Sequence, residues 1–249
     1  MNFLRCRSLL FRAGFVPLLF VFASASLAAE QSPSQRWEKE IEAFEIADRK
    51  SPPPQDAILF IGSSHIRRWN TLERDFPNHT IIYRGFGGLQ IADATYFADR
   101  IIFPCKPRLI VLAAGSNDLN AGKPPEQVAA DFEAFVARIR AALPDTRIAF
   151  MSINPAPARA DQINKQRQAN QLIKKYTATG NNLDYINIFD VFLGPDGQPR
   201  EDLFVTDRLH NNAAGYEIRA EITRLHLGPA TKPGAAKVKS ASSQPTGKK

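Results

Sequence analysis

Residues 57–69 read AILFIGSSHIRRW, and the fold class turns on this stretch. Its first six positions, Ala57 to Gly62, carry no polar side chain. A strand with one face in water alternates polar and apolar residues, whereas a run apolar on both faces suits a strand covered on both sides. Gly62 closes the run, and Ser63-Ser64 then begin a turn. A serine there can cap a following helix, or present its hydroxyl at the strand's carboxyl end.

The same pattern recurs along the chain. TIIYRG (80–85), RLIVLAAG (108–115), RIAFMSIN (147–154) and LDYINIF (183–189) are short, mostly apolar runs. Helical spacing separates several of them. Val128, Phe132, Phe135, Ile139 and Leu143 lie three or four apart in residues 124–143, with Pro125 suited to a first turn. Residues 161–176 and 212–225 follow the same logic. Ahead of the first run, Trp37, Ile41 and Phe44 mark one helical face, which Pro52 to Pro54 bring to an end. Alternating strands and helices predict an α/β protein: a three-layer α/β/α sandwich with a five-stranded, mainly parallel, flavodoxin-like sheet and right-handed crossovers. In such sheets ligands bind beyond the carboxyl ends of the strands, so chemistry is expected in the loops that follow each apolar run.

The chain has 249 residues and a formal charge of +7, but that charge is unevenly placed. Residues 1–28 hold three arginines and no acid, and residues 229–249 hold five lysines and no acid. The remainder is close to neutral, which gives no support to nucleic-acid binding. Arg5, Arg7 and Arg12, the apolar run from Gly14 to Phe22 and the small residues of SASLAA form the three parts of a secretory signal. That run is shorter than the ~20 residues a membrane span needs, so no stable span is expected after cleavage. The predicted organisation is a signal at 1–28, one catalytic-size domain at 29–228 and a disordered basic tail at 229–249. Export to a periplasmic or extracellular compartment follows, with the tail suited to weak contact with anionic envelope polymers. Cys105 is then left alone after loss of Cys6, and no Cys/His spacing of a zinc site is present. No metal or organic cofactor is implied.

Four loops hold candidate residues. GSS (62–64) follows the first run, GFGG (85–88) the second, and GSND (115–118) the third. DRLH (207–210) precedes the last helix. Each alone has a bland reading: a serine cap, a glycine turn, an Asx turn at Asn117-Asp118, and a capping acid at Asp207. Neither a P-loop nor a well-placed GxGxxG is present, and G-x-S-x-G of the α/β-hydrolase fold is also missing.

Taken in order, the four blocks resemble the SGNH hydrolases, also called the GDSL family of esterases and lipases, over about residues 55–226. The resemblance implies a Ser-His-Asp triad of Ser64, His210 and Asp207. It further implies an oxyanion hole formed by the N–H groups of Ser64 and Gly88 and the side-chain amide of Asn117. The chemistry asks for these types: an imidazole activates a weak hydroxyl nucleophile, a carboxylate sets its tautomer, and fixed donors stabilise the tetrahedral oxyanion. Two positions depart from the family pattern, since Ser63 and Leu89 stand where aspartates are usual. Neither supplies a triad or oxyanion group, but both weaken substrate analogies. The implied substrate is a small-molecule, carbohydrate or lipid ester, with acetyl or short acyl groups included. Two other readings share the fold: a non-catalytic glycan- or envelope-binding module, and an acyltransferase to a sugar hydroxyl. Outside the blocks, His65 is expected to have a surface or packing role, Trp69 to pack and His79 to lie in a turn. His226 is expected near the end of the last helix, where a positive charge suits the dipole, and Arg159 is expected to be a solvated charge.

Overall fold

The computed structural model describes residues 33–230. The expected signal at 1–28 and residues 231–249 of the expected tail lie outside the described residues.

A short 3₁₀ turn, Pro33–Trp37, leads into α1 (Glu38–Lys50). Strand β1 (Ile58–Gly62) is followed by two single-turn helices, α2 (Ser64–Arg67) and α3 (Leu72–Asp75), and then β2 (Ile81–Gly85). Helices α4 (Ile91–Tyr96) and α5 (Ala98–Ile101) cross to β3 (Leu109–Ala113). After α6 (Ser116–Asn120) and α7 (Pro125–Ala142) come β4 (Arg147–Met151), α8 (Ile163–Thr177), β5 (Leu183–Ile186) and α9 (Ala213–Arg224). The strands form one sheet in the order β2-β1-β3-β4-β5. Every pairing in that sheet is parallel. This is the doubly wound flavodoxin-like order, and the parallel character is complete rather than predominant.

Period-two alternation divides each strand between two cores. Leu59, Ile61, Ile110, Leu112, Ile148 and Phe150 face one side and pack with Ile41, Phe97, Phe132 and Phe135. Ile58, Phe60, Leu109, Val111, Ala149 and Met151 face the other and pack with Ile66, Trp69, Phe76 and Tyr216. Burying a large apolar side chain contributes about 1.5–3 kcal/mol, so both layers of helices are needed to cover the sheet. Trp69 is a packing residue as expected, 2% exposed, with its indole N–H on Asp75.

Register sets the level at which three loops leave the sheet. Gly62 pairs with Gly85 on one side and with Ala113 on the other. Ser64 therefore stands two residues past that level, Gly88 three, and Asn117 four.

Candidate active site

Ser64 opens α2 with Ser63 at its N-cap position, so the N–H of Ser64 is one of the leading groups for which a helix supplies no acceptor. The fourth loop approaches from the far end of the sequence. Phe204 and Asn211 form an antiparallel bridge at its base. Within it, Val205 N–H donates to His210 O at 2.9 Å and Arg208 N–H to Val205 O at 2.8 Å, with Arg208 at φ +57°. The cap of α9 is Asn212, which accepts from Gly215 N–H. Asp207 is thus free of the capping duty that offered its bland reading.

Asp207 instead holds its own loop. Its Oδ1 accepts the N–H groups of Leu209 and His210, each at 2.9 Å. Its Oδ2 lies 2.7 Å from His210 Nδ1. Burial pushes this carboxyl up, but the His210 N–H, the His210 ring and the Leu209 N–H together outweigh it and hold the group well below the ordinary carboxylate range. An ionised Oδ2 can only accept, so Nδ1 of the neutral ring carries the proton and Nε2 is left bare. His210 Nε2 lies 2.8 Å from Ser64 Oγ, across 146 residues of sequence. A bare ring nitrogen at that distance is placed to take the hydroxyl proton.

The glycine and asparagine blocks meet on the loops that follow the two strands flanking β1. Gly88 is exposed at φ +80°, a left-handed conformation that costs other residues ~1–2 kcal/mol. A Cβ on Gly88 would stand 2.9 Å from Trp37 Cη2, so the indole closes the space beside it. Trp37 is held in turn by Asp93, which also accepts from Ser34 Oγ and Arg36 Nη2. On the third loop, Gly115 takes φ +105° just ahead of α6. Asn117 Nδ2 donates to Leu89 O at 3.1 Å, which brings the side-chain amide against the glycine block and leaves a second N–H on that nitrogen. Asp118 forms no Asx turn in solvent. It is fully buried, accepts Ile91 N–H and pairs with Lys123 at 2.9 Å. Burial raises its carboxyl, against the pull of Lys123.

Two further side chains belong to this neighbourhood. Of the surface and packing roles expected for His65, it has the second: the ring is buried and its Nε2 lies 3.1 Å from Leu209 O. Arg159 departs from the expectation of a solvated charge. Its guanidinium is partly buried and donates to Ser116 Oγ and Asn117 Oδ1. A lone arginine in a proline-rich loop carries no sequence signal of such partners. His79 lies in its turn with Nδ1 3.2 Å from Arg108, and His226, beyond α9, pairs with Asp184.

A flavodoxin-like sheet with these four blocks at its carboxyl edge defines an SGNH-type ester hydrolase. The chain belongs to the GDSL-like lipase/acylhydrolase family, whose model matches residues 61–218, and so acts on carboxylic esters. Solved structures share the fold. One is a Streptococcus pneumoniae protein provisionally named a platelet activating factor, at 24% identity and a TM-score of 0.69, covering 77% of this chain and 92% of its own. A GDSL-like lipase of Bacteroides thetaiotaomicron aligns at 17% identity with a TM-score of 0.62, covering 78% and 96%. The acetyl xylan esterase AlAXEase aligns at 20% identity with a TM-score of 0.58, covering 68% and 98%. Among curated proteins, none matches this sequence. Among the described residues, no group of three or more His, Cys, Asp or Glu side chains is arranged to hold a metal ion.

Proposed function

We propose that this chain is an exported serine esterase that cleaves short acyl esters through a covalent acyl-enzyme. The observation that carries the proposal is the unbroken chain of Ser64 Oγ, His210 and Asp207, at 2.8 and 2.7 Å. Ser64 Oγ bonds to the ester carbonyl carbon as its proton passes to His210 Nε2. The tetrahedral oxygen takes hydrogen bonds from the N–H groups of Ser64 and Gly88 and from the Asn117 amide. The carbon–oxygen bond to the alcohol then breaks, and His210 returns the proton to the departing oxygen. Water repeats the sequence: it loses a proton to His210, attacks the acyl carbon, and releases the acid and the Ser64 hydroxyl. Asp207 keeps the ring in its productive tautomer and offsets the charge of the transient imidazolium.

A short acyl group on a saccharide is the substrate class to test first, because one fold neighbour is an acetyl xylan esterase. Export rests on residues 1–28 of the sequence, with their basic start, apolar run and small-residue cleavage region. Among the described residues no helix is long and apolar enough to cross a membrane.

The test is turnover of p-nitrophenyl acetate and of acetylated oligosaccharides by the purified chain and by Ser64→Ala and His210→Ala. Both variants are expected to fall to near background. Retained turnover in Ser64→Ala overturns the proposal. A parallel series of longer acyl chains is expected to show declining kcat/KM, and fractionation of producing cells is expected to find the chain outside the cytoplasm.

A further inference from the structure

We infer that Arg159 is a positioning residue for the oxyanion hole, acting through the side-chain amide of Asn117. The inference rests on the esterase reading above and adds a residue to it. Arg159 lies on the loop after β4, in a 3₁₀ stretch, Pro157–Gln162, where its own backbone breaks from helical geometry at φ −132° and ψ 30°. From there its guanidinium reaches back 42 and 43 residues to the loop after β3. Nη1 donates to Ser116 Oγ at 2.5 Å and Nη2 to Asn117 Oδ1 at 3.2 Å. One planar fork thus grips two successive residues, which a lysine ammonium does not match in geometry.

The amide of Asn117 has a partner at each end. Its Oδ1 faces the guanidinium and its Nδ2 faces the carbonyl oxygen of Leu89. Turned over, the amide would set an oxygen against the Leu89 carbonyl and an NH₂ against a cation, two repulsions in place of two hydrogen bonds. Leu89 and Arg159 together therefore fix which end of the amide faces the glycine block. Only the NH₂ end can stabilise an oxyanion, and a preset donor need not reorganise during reaction. The cation has a second effect. A charged donor on Oδ1 draws electron density from the amide and strengthens the remaining N–H as a donor. Among the described residues, no carboxylate is hydrogen-bonded to Arg159. Burial lowers its pKa and Asp161 acts from a distance in the other direction, but a guanidinium stays protonated across the working range of an esterase.

The loop is itself anchored. Ala158 N–H donates to Arg208 O at 2.9 Å, between Asp207 and His210. The strap after β4 therefore touches both halves of the site: the oxyanion donor through the Arg159 side chain, and the acid–base loop through the neighbouring peptide.

The experiment is a double-mutant cycle on p-nitrophenyl acetate hydrolysis, using the full chain, Arg159→Met, Arg159→Lys, Asn117→Ala and the Arg159→Met/Asn117→Ala pair. Losing a whole oxyanion donor costs about 10²–10³ in kcat, so misorienting that donor in Arg159→Met is expected to cost roughly tenfold or more. KM is expected to change by less than about twofold, because the interaction strengthens in the transition state. Arg159→Lys is expected to recover part of kcat. In the Asn117→Ala background, Arg159→Met is expected to have almost no further effect, since neighbours that act as a unit are not additive. Melting temperatures of all variants identify any loss that is only unfolding, and Arg159→Gln replaces the methionine variant if that chain does not fold. The inference is overturned if Arg159→Met leaves kcat unchanged while Asn117→Ala lowers it. It is overturned equally if the arginine change costs the same factor with and without Asn117. The underlying esterase reading fails separately, through activity retained by Ser64→Ala.

Discussion

His65 Nε2 donates to the carbonyl oxygen of Leu209 across 3.1 Å, so the residue after Ser64 holds the loop that carries His210. A second tie runs from the same residue to α9, where Tyr216 Oη donates to His65 O at 3.0 Å. A carbonyl only accepts, which puts a proton on His65 Nε2. Burial, with Arg219, His210 and Arg159 around it and against the pull of its bond to Leu209, holds His65 well below the usual imidazole range and leaves the native ring neutral. In the unfolded chain the same ring titrates near ~6.5. As pH falls below that value the unfolded chain takes up a proton that the native ring refuses, so stability falls with acidity. Denaturation midpoints are therefore expected to be lower at pH 5 than at pH 7.5. His65→Gln keeps a donor for Leu209 O and removes the titration, and its midpoint is expected to vary less over that range. An unchanged slope in His65→Gln would place the acid sensitivity elsewhere.

Asp207→Asn separates the two duties of the carboxylate. An asparagine Oδ1 can still accept the Leu209 and His210 N–H groups, which preserves the loop. Its NH₂ then faces His210 Nδ1 in place of Oδ2. A donor there favours the tautomer with hydrogen on Nε2, pointing at Ser64 Oγ, and the ring can no longer act as base. The expected outcome is a loss of about 10⁴ in kcat with the fold intact, as for the equivalent change in serine proteases. Activity within tenfold of the unaltered chain, with normal circular dichroism, would remove Asp207 from its assigned role.

The division between what the sequence discloses and what it hides follows from distance along the chain. Ser64, Gly88 and Asn117 each stand a few residues past an apolar run, and strand pairing brings those runs to one level. Local pattern alone therefore leads to their loops, and Asp207 and His210 share one loop. Arg159 and His65 are different. Their partners lie 42 to 144 residues away, and only the assembled sheet makes an ordinary loop arginine into a neighbour of Asn117. The crossover helices α4 and α5 were hidden for another reason. Their core face includes Ala94 and Ala98, small residues that add little periodic signal between Ile91 and Ile101. Asp118 reads as part of an Asx turn because burial of a carboxylate depends on donors that sequence spacing does not reveal.

Lys123 is expected to matter for stability through Asp118. The Asp118 side chain is 0% exposed and the ammonium lies 2.9 Å from it. Lys123→Met leaves a buried carboxylate without its cation, a change that costs about 3–5 kcal/mol in such sites. Burial already raises the Asp118 carboxyl, and loss of Lys123 raises it further. The native state of the variant then holds a proton at pH values where the unfolded chain has released it. Its stability is expected to recover on acidification, opposite in sign to the His65 effect. Urea unfolding of Lys123→Met at pH 5 and pH 7.5 measures this, and a deficit that is equal at both values contradicts the pairing argument.

Gly88→Ala tests the proposed oxyanion role of this turn from the backbone side. The residue sits at φ +80°, and the new methyl would meet Trp37 Cη2 at 2.9 Å. Left-handed strain alone is expected to destabilise the chain by about 1–2 kcal/mol. The indole contact adds to it, because Trp37 is fixed by its bond to Asp93. Relaxation of either kind moves the Gly88 N–H, so kcat is expected to fall with the stability. Adding Trp37→Leu removes the contact but leaves the φ strain, and is expected to restore only part of the melting temperature. Complete restoration in the double variant would assign the whole cost to the ring, and an unaltered rate in Gly88→Ala would mean that the turn's N–H has no part in binding the oxyanion.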